Sequence, residues 1–341
     1  MKRLEERLQG IWYGGRKPGL VLRVLSAIYG AVVRVRRAAY RRGWLSVSRV
    51  AVPVIVVGNV TVGGSGKTPL VIALVEYLRG QGWSPGVVSR GYGRLSRGQR
   101  DVHPDTAPDE GGDEPLLISR RCGVPVVVDT DRVAAAERAQ ALGCDIVVTD
   151  DGLQHYRLYR DLEIIVIDAD RRYGNGKVLP AGPLRESSPR HPGGMSSIPC
   201  MQITNGIDGQ TDSLEDGIEW HFVLVGDTLA GVDRLTQPLQ ALRGQRVHAV
   251  AGIGNPRRFF DHLRSEGLQT VEHAFADHYR YAMEDLQFPE KLPIVMTEKD
   301  WVKCAAFAPP DSWCLPVRAD CREEFFKCLT KVLVTAPVGH G

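Results

Sequence analysis

A chain of 341 residues is long enough for two domains and a well-buried core. Hydrophobic residues make up 43% and charged residues 24%, the balance of a globular protein, and a net charge of +3 excludes nucleic-acid binding driven by overall charge. The seven cysteines are odd in number and form no CxxC pair, which excludes a disulfide framework or structural zinc site and implies reduced thiols in a cytosolic protein.

Residues 4–9 are charged and helical in character. Trp12-Tyr13-Gly14-Gly15 interrupts them before any long apolar run, so the N-terminus does not read as a signal peptide. The most apolar early stretch, residues 20–33, contains Arg23 and would be roughly 21 Å long as a helix, short of the ~30 Å hydrocarbon core. On a helical wheel of residues 20–42, Arg23, Arg34, Arg37 and Arg41 share one narrow face. Val21, Leu25, Ile28, Val32, Val35 and Ala39 lie opposite. This is a basic amphipathic helix, the pattern of a membrane-interface segment and equally of a surface helix on its own domain. Trp12, Tyr13, Tyr40 and Trp44 flank it as candidate headgroup-level rings.

From residue 53 to 168 the chain alternates strands and helices. Val54–Gly58 and residues 86–89, 126–129, 146–149 and 164–168 are short, β-branched and continuously apolar, as parallel strands buried on both faces are. Residues 70–79 and 132–142 have helical periodicity, whereas the polar, Gly- and Pro-bearing residues 98–112 read as a loop. Residues 171–197, dense in Gly, Pro and Arg, read as a surface run between domains. Further strands are expected at 201–204 and 220–225. A second α/β pattern begins near residue 246, with strands at 247–251 and Ile294–Thr297 and helices at 256–266 and 322–332. The expected architecture is a P-loop NTPase-like α/β fold: a doubly wound, mostly parallel sheet, a second smaller α/β domain and an N-terminal amphipathic helix. The expected divisions are a basic amphipathic helical segment at 1–45, a doubly wound α/β core at 46–198, a strand-rich linker at 199–228 and a C-terminal α/β domain at 229–341.

Val54–Gly58 leads through Asn59-Val60-Thr61-Val62 into Gly63-Gly64-Ser65-Gly66-Lys67-Thr68 and then a helix, the context a phosphate-binding loop requires. Glycines let backbone N–H groups turn towards phosphate oxygens, Lys67 reaches the β- and γ-phosphates, and the Thr68 hydroxyl ligates Mg²⁺. Thr61 stands where the usual first glycine would be. The loop also resembles that of the ParA/MinD-type ATPases, but Val62 replaces their second lysine.

Such a loop needs a carboxylate at a nearby strand end. Asp150-Asp151 and Asp168 both end apolar runs, and pattern alone does not choose between them. Their C-terminal neighbours separate them. Asp150-Asp151-Gly152-Leu153-Gln154-His155 concentrates acids, an amide and an imidazole, while Asp168 precedes the ordinary loop Ala169-Asp170-Arg171. Asp113, in Gly112-Asp113-Glu114-Pro115, either caps a helix or is a base for an acceptor hydroxyl. Thr297-Glu298-Lys299-Asp300 either closes a cleft or caps a helix, and Gly252-Ile253-Gly254-Asn255-Pro256 reads as a tight strand-to-helix turn.

Together, Val57-Gly58-Asn59, the Gly63-to-Pro69 loop, Ser89-Arg90-Gly91-Tyr92-Gly93-Arg94, Gly112-Asp113-Glu114-Pro115, Asp150-Asp151-Gly152-Leu153-Gln154-His155, the 179–186 segment and Phe275-Ala276-Asp277-His278 resemble the tetraacyldisaccharide 4′-kinases, the lipid A 4′-kinases of Gram-negative bacteria. The resemblance implies ATP with Mg²⁺ as donor and a lipid A disaccharide 1-phosphate, phosphorylated at its 4′-hydroxyl, as acceptor. It further implies work on the cytoplasmic face of the inner membrane; no obligate protein partner is inferred, and the N-terminal arginines, opposite an apolar stripe and without interleaved aromatic positions, argue against nucleic acid. By motif, Thr61, Gly63, Gly64, Ser65, Gly66, Lys67 and Thr68 hold nucleotide. Thr68, Asp150, Asp151, Gln154 and Glu186 form a metal and phosphate shell. Asp113 is the base with His278 as its orienting partner, and Ser89, Arg90, Tyr92, His155 and Arg185 contact the acceptor.

Overall fold

The structure, a computed structural model, describes residues 2–186, 198–206, 212–214, 217–232 and 235–335. Two helices open the chain, α1 (Lys2–Trp12) and α2 (Leu20–Arg41). The alternating region then gives β1 (Val54–Gly58), α3 (Lys67–Gly80), β2 (Pro85–Ser89), β3 (Arg100–Val102), α4 (Pro108–Gly111), α5 (Asp113–Cys122), β4 (Val126–Val128), α6 (Arg132–Ala141), β5 (Ile146–Asp150) and β6 (Leu162–Asp168). It continues through β7 (Cys200–Asn205), β8 (Asp212–Leu214) and β9 (Gly217–Val225). The remainder comprises β10 (Thr228–Gly231), β11 (Thr236–Pro238), β12 (Arg246–Ala251), α7 (Pro256–Ser265), β13 (Gln269–Ala274), β14 (Ile294–Thr297), α8 (Glu298–Cys304), β15 (Ser312–Leu315), β16 (Arg318–Cys321) and α9 (Glu323–Thr335).

Among the described residues, two sheets form. The larger runs β16-β9-β7-β6-β1-β5-β2-β4-β3 with β8 on β9, and the smaller runs β11-β10-β15-β14-β12-β13. β1 is parallel to both β5 and β6, and every one of its residues is buried. Its pleat sends Ile55 and Val57 to the face covered by α3, α5 and α9, and Val54 and Val56 to the face covered by α6. Continuous β-branched runs are therefore apolar on both sides by necessity, each large apolar chain contributing about 1.5–3 kcal/mol when fully buried. Because β1, β2, β5, β6 and β7 are mutually parallel, Gly58, Ser89, Asp150, Asp168 and Asn205 end at one edge of the sheet. That edge is where such sheets place ligands.

Three stretches differ from the sequence expectations. Segment 199–228, read as a linker, supplies β7 and β9 to the first sheet, and β16 and α9 return to it from the far end of the chain. Phe325 and Leu329 are buried there beside Trp220, and Phe326 stacks on Tyr77 at 4.6 Å. Parallel pairing with β6 satisfies backbone that a free linker would have left to water. The polar stretch 98–112 contains β3, a charged edge strand antiparallel to β4, and the short α4. The described part of 171–197 is no surface connector. Thr61 bridges Leu184, Val62 N–H donates to Pro183 O and Arg185 N–H donates to Val60 O, so this segment splints the loop after β1. Residues 187–197 lie outside the described residues.

The same splint carries the N-terminal helices. Ser26 Oγ donates to Val178 O (2.7 Å), Tyr29 Oη to Arg185 O (2.8 Å) and Trp12 Nε1 to Pro180 O (3.0 Å). α2 thus docks through its polar and small residues, and its apolar stripe faces outwards, with Ile28 57% and Val35 67% exposed. Of the four flanking aromatics only Trp44 turns outwards; Trp12 is buried, Tyr13 lies on Arg171 and Tyr40 on Tyr156. No described helix is long and apolar enough to cross a membrane.

Candidate active site

The loop after β1 is held from three sides. Gly66, just before α3, has φ +84°, and a Cβ there would meet Asn205 Nδ2 at 2.3 Å. Glycine is therefore required for both conformation and space. Asn205 Nδ2 donates to Ser65 O (3.1 Å), and Asn59 Nδ2 donates to Gly63 O (3.2 Å), fixing those two carbonyls. Thr61, lacking a glycine's freedom, needs none, because its bridge to Leu184 keeps it in strand pairing. Lys67 Nζ donates to Asn59 Oδ1 (3.1 Å) and lies 3.6 Å from Asp151 Oδ1. Thr68 comes next in the first turn of α3. Over the loop sits the turn between β12 and α7. A Cβ on Gly254 would lie 2.4 Å from Gly64 N, and Arg171 Nη1 donates to Gly254 O (3.0 Å).

The two adjacent acids after β5 are driven in opposite directions. Asp150 is 1% exposed, with Oδ1 buried and unpartnered. Burial, reinforced by the Glu114 and Asp151 charges, pushes its carboxyl up to about 7, against the pull of Lys67 and Arg132. Asp151, at φ +53°, is also penalised by burial, but Lys67 and Arg185 outweigh that and hold it at about 2. Both its oxygens accept from Arg185 Nη1 at 2.8 Å. Gln154 Nε2 donates to Glu186 Oε1 (2.9 Å), its Oε1 accepts from Arg185 (3.3 Å), and Tyr156 Oη donates to Glu186 Oε2 (2.7 Å). Glu186 is thus braced by Gln154 and Tyr156. Asp168, the alternative strand-end acid, is spent elsewhere: it accepts from Arg171 N–H (3.0 Å) and lies 3.6 Å from Arg258. Among the described residues no three or more His, Cys, Asp or Glu side chains form a preformed metal cage.

Asp113 is the first residue of α5, where the helix N-terminus favours an anion. It does not cap the helix: Gly112 occupies that position, and the Asp113 carboxylate meets His278 from the second sheet, Oδ2 to Nδ1 at 3.1 Å. Burial would raise its pKa, but the His278 hydrogen bond and the Lys303 and Lys299 charges outweigh burial and hold it below the usual value. His278 has φ +59°, a region costing about 1–3 kcal/mol for a non-glycine residue, and the Tyr92 ring lies against it at 4.7 Å. Ser89 Oγ accepts from Gly91 N–H (3.4 Å) at the base of the same turn, and Arg90 is exposed. His155 is pushed down to about 4 by burial and by the nearby Arg132 and Arg90 charges.

Three basic residues here were outside the sequence-derived set. Arg132 is 3% exposed, donates through Nη1 to Asp129 O, and leaves Nε and Nη2 unpartnered. Its charge reaches Asp150, Asp151 and His155. Its place at the start of an otherwise ordinary amphipathic helix concealed it. Lys299 and Lys303 come from α8. Thr297 does cap that helix, its Oγ1 accepting from Asp300 N–H (3.3 Å). The capping reading of this motif was correct but incomplete.

The chain matches the sequence profile of the family described as "Tetraacyldisaccharide-1-P 4'-kinase" over residues 19–334. It is 50% identical over 326 residues to "Tetraacyldisaccharide 4'-kinase" of Stenotrophomonas maltophilia (strain R551-3), covering 94% of each chain. It is 48% identical over 340 residues to the protein of that description from Xanthomonas campestris pv. campestris (strain 8004), covering 96% of each. Its fold is similar to a crystal structure of the "apo" form of LpxK from Aquifex aeolicus in complex with ATP. That likeness has a TM-score of 0.74 and 28% identity over 91% of this chain and 96% of that one.

Proposed function

Because the chain belongs to the tetraacyldisaccharide-1-phosphate 4′-kinase family, we propose that its two polar clusters divide one phosphoryl transfer between donor and acceptor sides. The reaction is ATP-dependent transfer of the γ-phosphate to the 4′-hydroxyl of a tetraacyldisaccharide 1-phosphate, giving the 4′-phosphorylated lipid A precursor. On the donor side, the backbone N–H groups of Gly63–Gly66 and the Lys67 ammonium receive phosphate oxygens. Thr68 and the strand-end Asp150 would hold Mg²⁺, with Asp151 nearby. The unpartnered, buried Asp150 Oδ1 fits that task, since a carboxylate oxygen in such a place otherwise costs desolvation without return. When bound, the metal supplies charge neutralisation at the phosphates. Gln154 and Glu186 act one step back by fixing Arg185, which in turn orients Asp151. Arg132, with two buried N–H groups unpartnered, faces this charge from α6 and suits a phosphate oxygen.

On the acceptor side Asp113 takes the 4′-hydroxyl proton and His278 orients it. The observation that carries this reading is their 3.1 Å contact, made across two sheets by residues 165 apart in sequence. An aspartate kept ionised in a site shared by two sheets is placed for base catalysis by alignment. Tyr92 lies against His278, and Ser89, Arg90, Tyr92, His155 and Arg185 are proposed to contact the acceptor.

We place the enzyme peripherally on the cytoplasmic face of the inner membrane. The outward apolar stripe of α2 and Trp44 enter the lipid interface. Arg36 stays exposed beside the stripe, where it can reach acidic headgroups at about 1 kcal/mol, while Arg23, Arg34 and Arg41 are exposed on the face opposite it. The acyl chains of the acceptor then remain in lipid while its sugar reaches the sheet edge.

The test is transfer of label from γ-labelled ATP to purified disaccharide 1-phosphate in micelles, with Mg²⁺ and with EDTA. Metal-dependent bisphosphorylated product is expected. Nucleotide binding without transfer to this acceptor would overturn the assignment of roles.

A further inference from the structure

The motif Thr297-Glu298-Lys299-Asp300, continued by Lys303, brings two ammonium groups from the second sheet into the Asp113 cluster. Lys299 Nζ donates to Glu114 Oε1 (2.9 Å) and Asp277 Oδ1 (2.9 Å) and lies 3.2 Å from His278 Nε2. Lys303 Nζ lies 3.4 Å from Asp113 Oδ2 and 3.1 Å from Asp300 Oδ1. Glu298 anchors the start of the helix, accepting from Arg121 Nη1 at 3.1 and 2.9 Å through its two oxygens. Asp300 anchors its other side by accepting from Gly252 N–H (2.8 Å) and Thr297 Oγ1 (2.6 Å). Neither lysine is loosely placed: both are largely buried, and their carboxylate partners come from α5, the 277–278 turn and α8 itself.

We infer that Lys299 is a positioning residue that selects the tautomer of His278, so that the imidazole donates Nδ1–H to Asp113. An ammonium has three donors and no acceptor. Its approach to Nε2 is favourable only where Nε2 carries a lone pair. Nδ1 of the neutral ring must then hold the proton, and it faces Asp113 Oδ2. The opposite tautomer would set an N–H against the ammonium and a lone pair against the carboxylate, two repulsive contacts in a buried site. Glu114 and Asp277 outweigh the cost of burial and keep Lys299 charged, which makes the constraint permanent. Lys303 adds its charge at the same Oδ2. Both stabilising groups therefore act on one oxygen of Asp113, and neither acts on Oδ1, which is left to receive the hydroxyl proton. The tautomer stands on geometry alone; its catalytic consequence rests on Asp113 being the base of the proposed reaction.

The test uses the full chain labelled with ¹⁵N at histidine, in micelles, with the His278 ring assigned by difference against His278→Gln. In the unmodified protein the ring is expected to show protonated Nδ1 and unprotonated Nε2; the reverse pattern overturns the inference without any variant of Lys299. Lys299→Met is expected to give a mixture of tautomers and to lower kcat about tenfold, a part of the ~10²–10⁴ a base supplies, with KM for ATP within about twofold. Lys299→Arg is expected to restore both signals. An unchanged ring spectrum in a folded Lys299→Met protein would remove the lysine from this role. A normal tautomer with no acceptor phosphorylation would instead locate the failure in the proposed role of Asp113.

Discussion

The phosphate loop and the Asp113 cluster are both polar and built around a lysine, yet they are assembled in opposite ways. The loop is one short stretch between β1 and α3, and its own residues, Asn59 to Gly63 and Lys67 to Asn59, supply much of its bracing. The Asp113 cluster takes Asp113 from α5, His278 from the turn after β13, and Lys299 and Lys303 from α8. The first is complete whenever the first sheet folds. The second exists only when the two sheets are docked. The Arg121–Glu298 and Lys299–Glu114 pairs that join α5 to α8 are therefore as much part of the site as its base. Charge obeys the same division. Asp151 is held down by neighbours on its own sheet, Lys67 and Arg185, whereas Asp113 is held down by groups that all belong to the other sheet.

The sharpest way to break this comparison is to remove one group from each side. Asp113→Ala is expected to lower transfer by about 10²–10⁴ while ATP affinity, measured by calorimetry, stays within about twofold. Lys67→Ala is expected to lose both. Equal loss of nucleotide binding in the two variants would mean that donor and acceptor sides are not separable.

Next in size is the point where the second sheet touches the loop. Gly254→Ala places a methyl 2.4 Å from Gly64 N, backbone against backbone, which no side-chain rotation relieves. Overpacking of this kind costs roughly 1–3 kcal/mol, and a lower Tm without nucleotide is expected. An unchanged Tm would show that the turn stands away from the loop in solution.

A smaller effect distinguishes the electrostatics. Because the folded-state pKa of Asp113 lies below its ordinary value, its ion pairs contribute stability above that ordinary value and lose it as pH falls through the folded one. Lys303→Met removes one of the charges responsible. The folded pKa then rises, and the acidic limb of the kcat–pH profile moves to higher pH by up to about one unit. A limb that stays in place would exclude Lys303 from setting the ionisation of Asp113.

Legibility in the sequence depended on range. The strands β1, β2, β4, β5 and β6 and the phosphate loop are local patterns, so their positions could be read within a residue or two, and Asp150 could be preferred to Asp168 from the residues beside it. Segment 199–228 could not be placed, because its partner is β6, and nothing local distinguishes a strand that joins a sheet from one in a linker. Arg132 opens a stretch whose periodicity reads only as helical, and its burial depends on Asp129 and on the Asp150 edge beyond it. The partners of Lys303, and of Lys299 in a motif that reads as closing a cleft or capping a helix, were hidden for the same reason. Lysines spaced four apart on a short helix are what a solvated face shows, and only the docking of α8 against α5 gives them carboxylates to meet.

The smallest expected effect concerns which of the two clusters the lipid surface adjoins. α2 is tied to the segment that splints the phosphate loop, through Tyr29 to Arg185 O and Ser26 to Val178 O, and its apolar stripe is exposed. Ile28 is 57% exposed, so Ile28→Ser removes little that holds the fold together, and Tm is expected to stay within about 2 °C. The change should appear in partition to vesicles containing acidic phospholipid. Losing one partly inserted aliphatic chain, about 1 kcal/mol, corresponds to a several-fold weaker association measured by flotation. Turnover with micellar acceptor should remain near that of the unmodified protein, because neither cluster has been touched. If vesicle binding is unaltered while Tm falls, the stripe is covered by protein rather than lipid, and the loop side of the site has a partner other than the membrane.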